Sequence, residues 1–339
     1  MNSVRPFISV IIPVHNGGGH IASCLEALGK SSYGSFEIIV VDDASADDTV
    51  EICRGIIGIT VIELPVQGGP AVARNEGVKS ASGEILLFID SDVLATENTL
   101  GQVADCFSEN WDISAVFGSY DDSPSAPDFL SQYRNLFHHF VHQRSDVKAN
   151  TFWAGCGAVR RDVFTELGGF DVRRFPLPSI EDIELGYRMR RNGYRIMLDK
   201  SIQVKHMKHW QWQSLIRTDI FNRALPWSKM ILETKRIPRD MNLRVSDRVS
   251  SALSGLLFLC LIVIAFGLLG IYGAELLAGI ALSTLIVLAA LLILNRDLYG
   301  FFIQKRGIKF TLLAIPMHFF YYLYCGASFT LCWIKKRFS

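Results

Sequence analysis

Three stretches of this chain contain no Asp, Glu, Lys or Arg: residues 249–274, 276–295 and 310–334. Each is at least as long as the roughly 20 residues that a helix needs to cross about 30 Å of hydrocarbon. One buried helix can be this apolar, but three in succession in a single tail point to a membrane anchor. A short turn (Tyr272, Gly273, Ala274, Glu275) separates the first two, which predicts a hairpin with both ends on one side. Arg248 before it and Arg296, Lys305, Arg306 and Lys309 after it place that side in the cytoplasm. The third run has two readings. Spanning is preferred, although it would carry Lys335, Lys336 and Arg337 to the outer side. Pro316, His318, Tyr321, Tyr322 and Tyr324 equally suit a segment in the interface or packed on the hairpin.

The total charge of +1 hides segregation. Residues 1–204 hold 17 basic and 27 acidic side chains, residues 205–248 hold 10 and 4, and residues 249–339 hold 7 and 2. An acidic head, a basic collar and an apolar tail suit a protein seated on anionic lipid, and the acidic head speaks against a nucleic-acid partner. Residues 1–6 run directly into a strand pattern with no signal-peptide character, so the head is expected in the cytoplasm of an inner-membrane, multi-pass protein. Cys24, Cys53, Cys106 and Cys156 form no CxxC pair, which fits reduced structural thiols.

The head alternates strand and helix patterns. Strands are expected at 7–14, 36–41, 60–64 and 84–89, and helices at 21–28, 49–57 and 71–81. This order predicts a largely parallel sheet covered on both faces, with ligands bound beyond the carboxyl ends of the strands. Those ends are acidic: Asp42-Asp43-Ala44-Ser45 and Asp90-Ser91-Asp92. The segment after the first strand, His15-Asn16-Gly17-Gly18-Gly19, has neither GxGxxG spacing nor a P-loop lysine, which disfavours a dinucleotide or triphosphate cradle and a nucleotidyltransferase. Carboxylates at strand ends suit a nucleotide whose phosphates are bound through a hard divalent cation. Ser45 or Asp47 is also expected to cap the next helix.

Read together, ISVIIPVHN, EIIVVDDASADDT, GGPAVARNEGVKSASGEILLFIDSD, GCGAVRRDVFTELGGFD and SIEDIELGYRMRRNGY resemble the motif series of family 2 glycosyltransferases over residues 7–206. The resemblance implies an α/β GT-A fold, a Rossmann-like mixed sheet, as a catalytic domain over 1–206. Basic amphipathic interfacial helices over 207–248 and a membrane anchor of two to three helices over 249–339 would follow. It implies that Asp43 binds the nucleobase of a UDP-linked sugar donor, with Pro13 and Val14 lining that pocket. Asp90 would face the ribose, Asp92 would ligate Mn²⁺ or Mg²⁺, and Arg74 would lie near the nucleotide. The Glu181-Asp182 pair matches the family's ED motif, so Asp182 is expected as the base and Glu181 on the acceptor side. His206 falls where GT-A enzymes place a metal or diphosphate ligand, and Trp153 where an acceptor-side aromatic stands.

The chemistry agrees with this placement. A metal at the diphosphate stabilises leaving-group charge, and inversion needs a base on the opposite face of the sugar to deprotonate an acceptor hydroxyl. The ED pair favours a hydroxyl acceptor, on a lipid or lipid-linked saccharide, over a polyprenyl phosphate, which needs no base. A catalytically inactive membrane scaffold is the other alternative. His138, His139 and His142 have spacings compatible with zinc, but no HExxH acid accompanies them, and a polar or acceptor-facing helix is the preferred reading. Trp210 to Thr234 mixes Trp with Arg and Lys, the pattern of an interfacial segment. Asn222 to Trp227 departs from the QxxRW motif of processive members, which favours transfer of a single sugar.

Overall fold

Residues 5–234, 241–271 and 273–338 are described in the computed structural model, which divides into two units, Met1–Gln211 and Trp212–Ser339. The first unit is built on β1 (Ile8–Val14), whose seven residues are all buried. A strand with helices on both faces has no solvent side, hence its continuous apolar run. After α1 (Ile21–Gly29) come β2 (Phe36–Asp42), α2 (Thr49–Arg54), β3 (Ile59–Glu63), α3 (Pro70–Ser80) and β4 (Ile85–Ile89). These four strands pair in parallel in the order β3-β2-β1-β4. The chain thus leaves β1 in one direction and returns on its other side, opening a crevice at the carboxyl ends of β1 and β4. Helix α2 stops at Arg54, short of the expected Ile57, because Gly55 and the positive-φ Gly58 end it. Asp47 accepts from the Thr49 N–H at 3.2 Å, whereas Ser45 instead receives the Asn16 N–H.

The remaining elements are β5 (Val93–Leu94), α4 (Thr99–Glu109), β6 (Ile113–Tyr120), α5 (Phe129–Arg144), β7 (Lys148–Ala149), β8 (Cys156–Arg160), α6 (Arg161–Glu166), α7 (Glu181–Arg191) and β9 (Arg195–His206). Strand β8 runs antiparallel to β4 and β6, while β6 and β9 are parallel, so the nine-stranded sheet is mixed. Helix α3 lies close on the sheet at Gly77, where a Cβ would sit 2.6 Å from Ile11 and 3.0 Å from Val41. That close approach brings Arg74, on the same helix, down to the crevice.

The second unit comprises α8 (Trp212–Arg217), a π-helical turn (Thr218–Ala224), α9 (Leu225–Thr234), a 3₁₀ turn (Met241–Leu243), α10 (Val245–Leu268), α11 (Ala274–Leu294) and α12 (Arg296–Phe338). Residues 235–240 of the expected basic collar and Tyr272 of the expected hairpin turn lie outside the described residues. Helices α10, α11 and α12 are each long and apolar enough to cross a membrane. Helix α12 breaks at Gly307, where φ is 81°. Beyond the break it is tied to earlier helices of its own unit. Tyr324 donates to Asp219 at 2.6 Å, Lys336 to the Leu232 carbonyl at 2.6 Å, and Ser251 to the Tyr322 carbonyl at 2.9 Å.

Candidate active site

The crevice is assembled from strand ends. Val14 O accepts the Asp43 N–H at 2.7 Å, which sets Asp43 beside the last residues of β1, Pro13 and Val14. The Asp43 carboxylate is buried and takes the N–H groups of Gly68 and Gly69 at 2.7 and 2.8 Å. Gly69 has φ 84°, and a Cβ there would come within 3.0 Å of the Pro176 carbonyl, so only glycine serves this turn without strain. This amide clamp on Asp43 had no local sequence signal beyond the Gly-Gly-Pro itself.

Arg74 is the hub. Its Nη2 donates to Asp90 at 2.7 Å and its Nη1 to Glu181 at 2.9 Å. Its side chain is 6% exposed, as is that of Glu181. The guanidinium also lies 5.6 Å from the Phe170 ring. A planar fork with donors on two edges can bridge two carboxylates in this way, which a lysine cannot reproduce. Glu181, expected on the acceptor side, is committed to Arg74 and to the Ser179 N–H at 3.0 Å. The second carboxylate of the pair, Asp182, is held by the Ala154 N–H at 3.1 Å and by its own neighbour, the Ile183 N–H, at 2.8 Å. Burial and the adjacent Glu181 charge push the Asp182 carboxyl up to about 6.

Asp92 and His206 meet because β5 pairs antiparallel with β9, Val93 opposite His206. His206 Nε2 stands 3.6 Å from Asp92 Oδ2, wider than a hydrogen bond. Burial would raise the Asp92 carboxyl, but His206, Lys208 and His20 outweigh it and hold it at about 2. The imidazole of His206 stacks on Tyr120 at 4.1 Å with 13° between the planes. Tyr120, the last residue of β6, carries no sequence motif, and the contact arises from the β6·β9 pairing.

Trp153 stands on the same side. Its ring meets Tyr120 edge-on at 4.8 Å and packs against His138 and His142 at 5.0 and 5.4 Å. A Cβ on Gly155 would lie 2.4 Å from the indole, so this ring position depends on glycine. Of the three histidines of α5, His138 is half-buried and two are internal. His139 and His142 are buried, with Nδ1 atoms 2.7 and 3.0 Å from the Tyr120 and Gly118 carbonyls. Burial lowers the His142 imidazole to about 4. Among the described residues, no three His, Cys, Asp or Glu side chains group as a self-sufficient metal site.

The sequence pattern described as "Glycosyl transferase family 2" matches residues 9–168. The chain carries a family 2 glycosyltransferase domain. It is 35% identical over 185 residues to glycosyltransferase GlyG of Streptococcus pneumoniae serotype 4, a match covering 50% of this chain and 61% of that protein. The chain therefore spans about six-tenths of the length of that relative. Among solved structures, mannosyltransferase PcManGT from Pyrobaculum calidifontis, in complex with GDP-Man and Mn²⁺, matches 98% of this chain and 87% of its own at 18% identity and a TM-score of 0.57. Residues 1–349 of S. aureus TarS, in complex with UDP-GlcNAc, match 61% of this chain and 60% of that one at 22% identity and a TM-score of 0.50. At these identities the two structures establish the GT-A fold of the glycosyltransferase domain.

Proposed function

We propose that the protein is a membrane-anchored, inverting glycosyltransferase that moves one sugar from a nucleotide-diphosphate donor, UDP-linked, to a hydroxyl of a lipid or lipid-linked saccharide in cell-envelope glycan or glycolipid synthesis. The observation that carries this reading is Asp182: a fixed carboxylate raised to about 6, next to an Arg74 bridge that ties its helix to the acidic strand end. A base poised near neutral pH is what deprotonation of a hydroxyl requires. Asp182 takes the acceptor proton as the acceptor oxygen bonds to the anomeric carbon. The bond from that carbon to the diphosphate oxygen breaks on the opposite face, and the electron pair leaves with the nucleoside diphosphate.

Asp43, Pro13 and Val14 bind the base in this reading, and Asp90 the ribose. Arg74, bridging two carboxylates, orients Asp90 and fixes the start of α7. Asp92 and His206 fit a Mn²⁺ or Mg²⁺ ion: one carboxylate and one imidazole, 3.6 Å apart, are hard and borderline donors that leave further positions to phosphate oxygens and water. When bound, such an ion neutralises charge developing on the leaving diphosphate. Trp153 offers an aromatic edge beside the acceptor side. The second unit holds the enzyme at the inner membrane, with the catalytic unit in the cytoplasm.

Release of nucleoside diphosphate from a panel of nucleotide sugars by the purified full chain with Mn²⁺ tests the proposal. Asp92→Ala and Asp182→Ala are expected to abolish turnover. Parental turnover by both variants on the true acceptor would overturn the assignment.

A further inference from the structure

We propose that the second unit holds one chain of a phosphate-bearing membrane lipid in a groove between α9, α10 and α12. This rests on the reading that the unit sits in a bilayer, and it adds the class of amphiphile that the unit recognises. The groove encloses about 990 Å³, the upper end of the roughly 300–1,000 Å³ typical of small-ligand sites. Its room comes from small residues: Ser251, Ala252 and Gly255 on α10 face Gly326 and Ala327 on α12.

The lining is graded as an amphiphile is. At one end are Asn242 and Arg248, beside the start of α10; further along are Leu256, Phe258 and Leu259. Eleven residues of helix separate Arg248 from Leu259, about 16 Å of axial rise along which an extended hydrocarbon chain can lie. Phe258 and Leu259 are 48% and 59% exposed, so the apolar end opens along the outward face of a membrane-length helix.

The polar end holds two unpartnered atoms, although Asn242 Nδ2 donates to the Tyr321 hydroxyl at 3.0 Å. Arg248 Nε and Asn242 Oδ1 are buried atoms with no hydrogen-bond partner among the described residues. Asp247, the neighbouring acid in the lining, directs its carboxylate to other donors. Its Oδ1 accepts from the Tyr322 hydroxyl and its Oδ2 from the Arg244 N–H, each at 3.1 Å. A guanidinium N–H left without an acceptor at the mouth of an apolar slot suits a phosphate oxygen, with which it forms a charge-assisted hydrogen bond.

The test uses the full chain in nonionic detergent and dibrominated acyl lipids, whose bromines quench nearby tryptophan. Trp227 lines the groove, and the difference between the parent and Trp227→Phe isolates its signal. Brominated phosphatidic acid is expected to quench that signal saturably. Brominated diacylglycerol, which lacks the phosphate, and the variant Arg248→Gln are each expected to bind about tenfold more weakly. Gly255→Leu should abolish saturable quenching; a Cβ at Gly255 meets nothing within 4 Å, so the side chain fills the groove without strain, and an unchanged thermal transition verifies its fold. Equal quenching in Gly255→Leu, or by diacylglycerol, would overturn the proposal, as would displacement by inorganic phosphate, which would assign the site to a soluble anion. Alkaline extraction of the chain from membranes tests the bilayer reading separately: release into the supernatant sinks that reading whatever the quenching shows.

Discussion

Arg74 and Glu181 lie 107 positions apart in the chain and form a buried ion pair, Nη1 to Oε1, at 2.9 Å. Removing one partner of such a pair strands the other charge away from water, at a cost of about 3–5 kcal/mol. Arg74→Met is therefore expected to lower the stability of the full chain in detergent by that amount. Glu181→Gln, which keeps an acceptor oxygen, should cost less. Thermal or denaturant unfolding measures both, and a neutral Arg74→Met would show the bridge to be dispensable.

The Asp182 carboxyl, raised to about 6, has to be ionised to accept a proton. The rate of sugar transfer should therefore be level above about pH 6 and fall about tenfold per pH unit below it. Asp182→Asn is expected to lose about 10²-fold or more in kcat together with the acidic limb of the profile. An acidic limb that survives in Asp182→Asn would place the titrating group elsewhere.

Asp92 is held at about 2, so it stays ionised across that whole range and contributes no limb of its own. Asp92→Asn is expected to cost about 10²-fold in kcat and to raise the Mn²⁺ concentration needed for half-maximal rate. Tyr120→Leu removes the ring stacked on His206 without touching either proposed ligand, and should raise the Mn²⁺ requirement while leaving the donor KM near its parental value. A Tyr120→Leu enzyme with parental metal dependence would reduce that stack to packing.

Gly155→Ala places a methyl group 2.4 Å from an indole carbon of Trp153. The ring has to move, at a cost of about 1–3 kcal/mol for an overpacked site. Because Trp153 stands on the proposed acceptor side, acceptor KM is expected to rise more than donor KM, a split that steady-state kinetics resolves directly.

Helix α12 carries its terminal basic cluster beside α9, with Lys336 donating to the Leu232 carbonyl. A reporter fused after residue 339 is therefore expected on the same side of the membrane as α9. This keeps Lys335, Lys336 and Arg337 on the side that the positive-inside bias prefers. Labelling of the fusion from the opposite side would instead support a third crossing.

The four parallel strands were readable from the sequence because each is a short apolar run between turn residues, and a buried parallel strand leaves that trace at its own position. The acidic strand ends were readable for the same reason, as Asp43, Asp90 and Asp92 follow directly on those runs. What local pattern does not record is pairing across the fold. That Glu181 turns inward to Arg74, that Tyr120 supports His206, and that His139 and His142 lie inside are set by contacts between residues 19 or more positions apart. An i,i+3 and i,i+4 histidine face looks the same on a helix whether a sheet or solvent covers it.

The bridge of Val93 to His206 is two residues long on the β5 side. A strand this short has no second register to fall back on, and a shift of one position turns every side chain to the opposite face. The enzyme should therefore accept added residues in the loop between Asp121 and Asp128, which carries none of the proposed ligands. A single residue inserted between Asp92 and Val93 would separate Asp92 from His206 while leaving the rest of the sheet intact. In directed evolution, length changes at that joint would be purged even where substitutions around it survive.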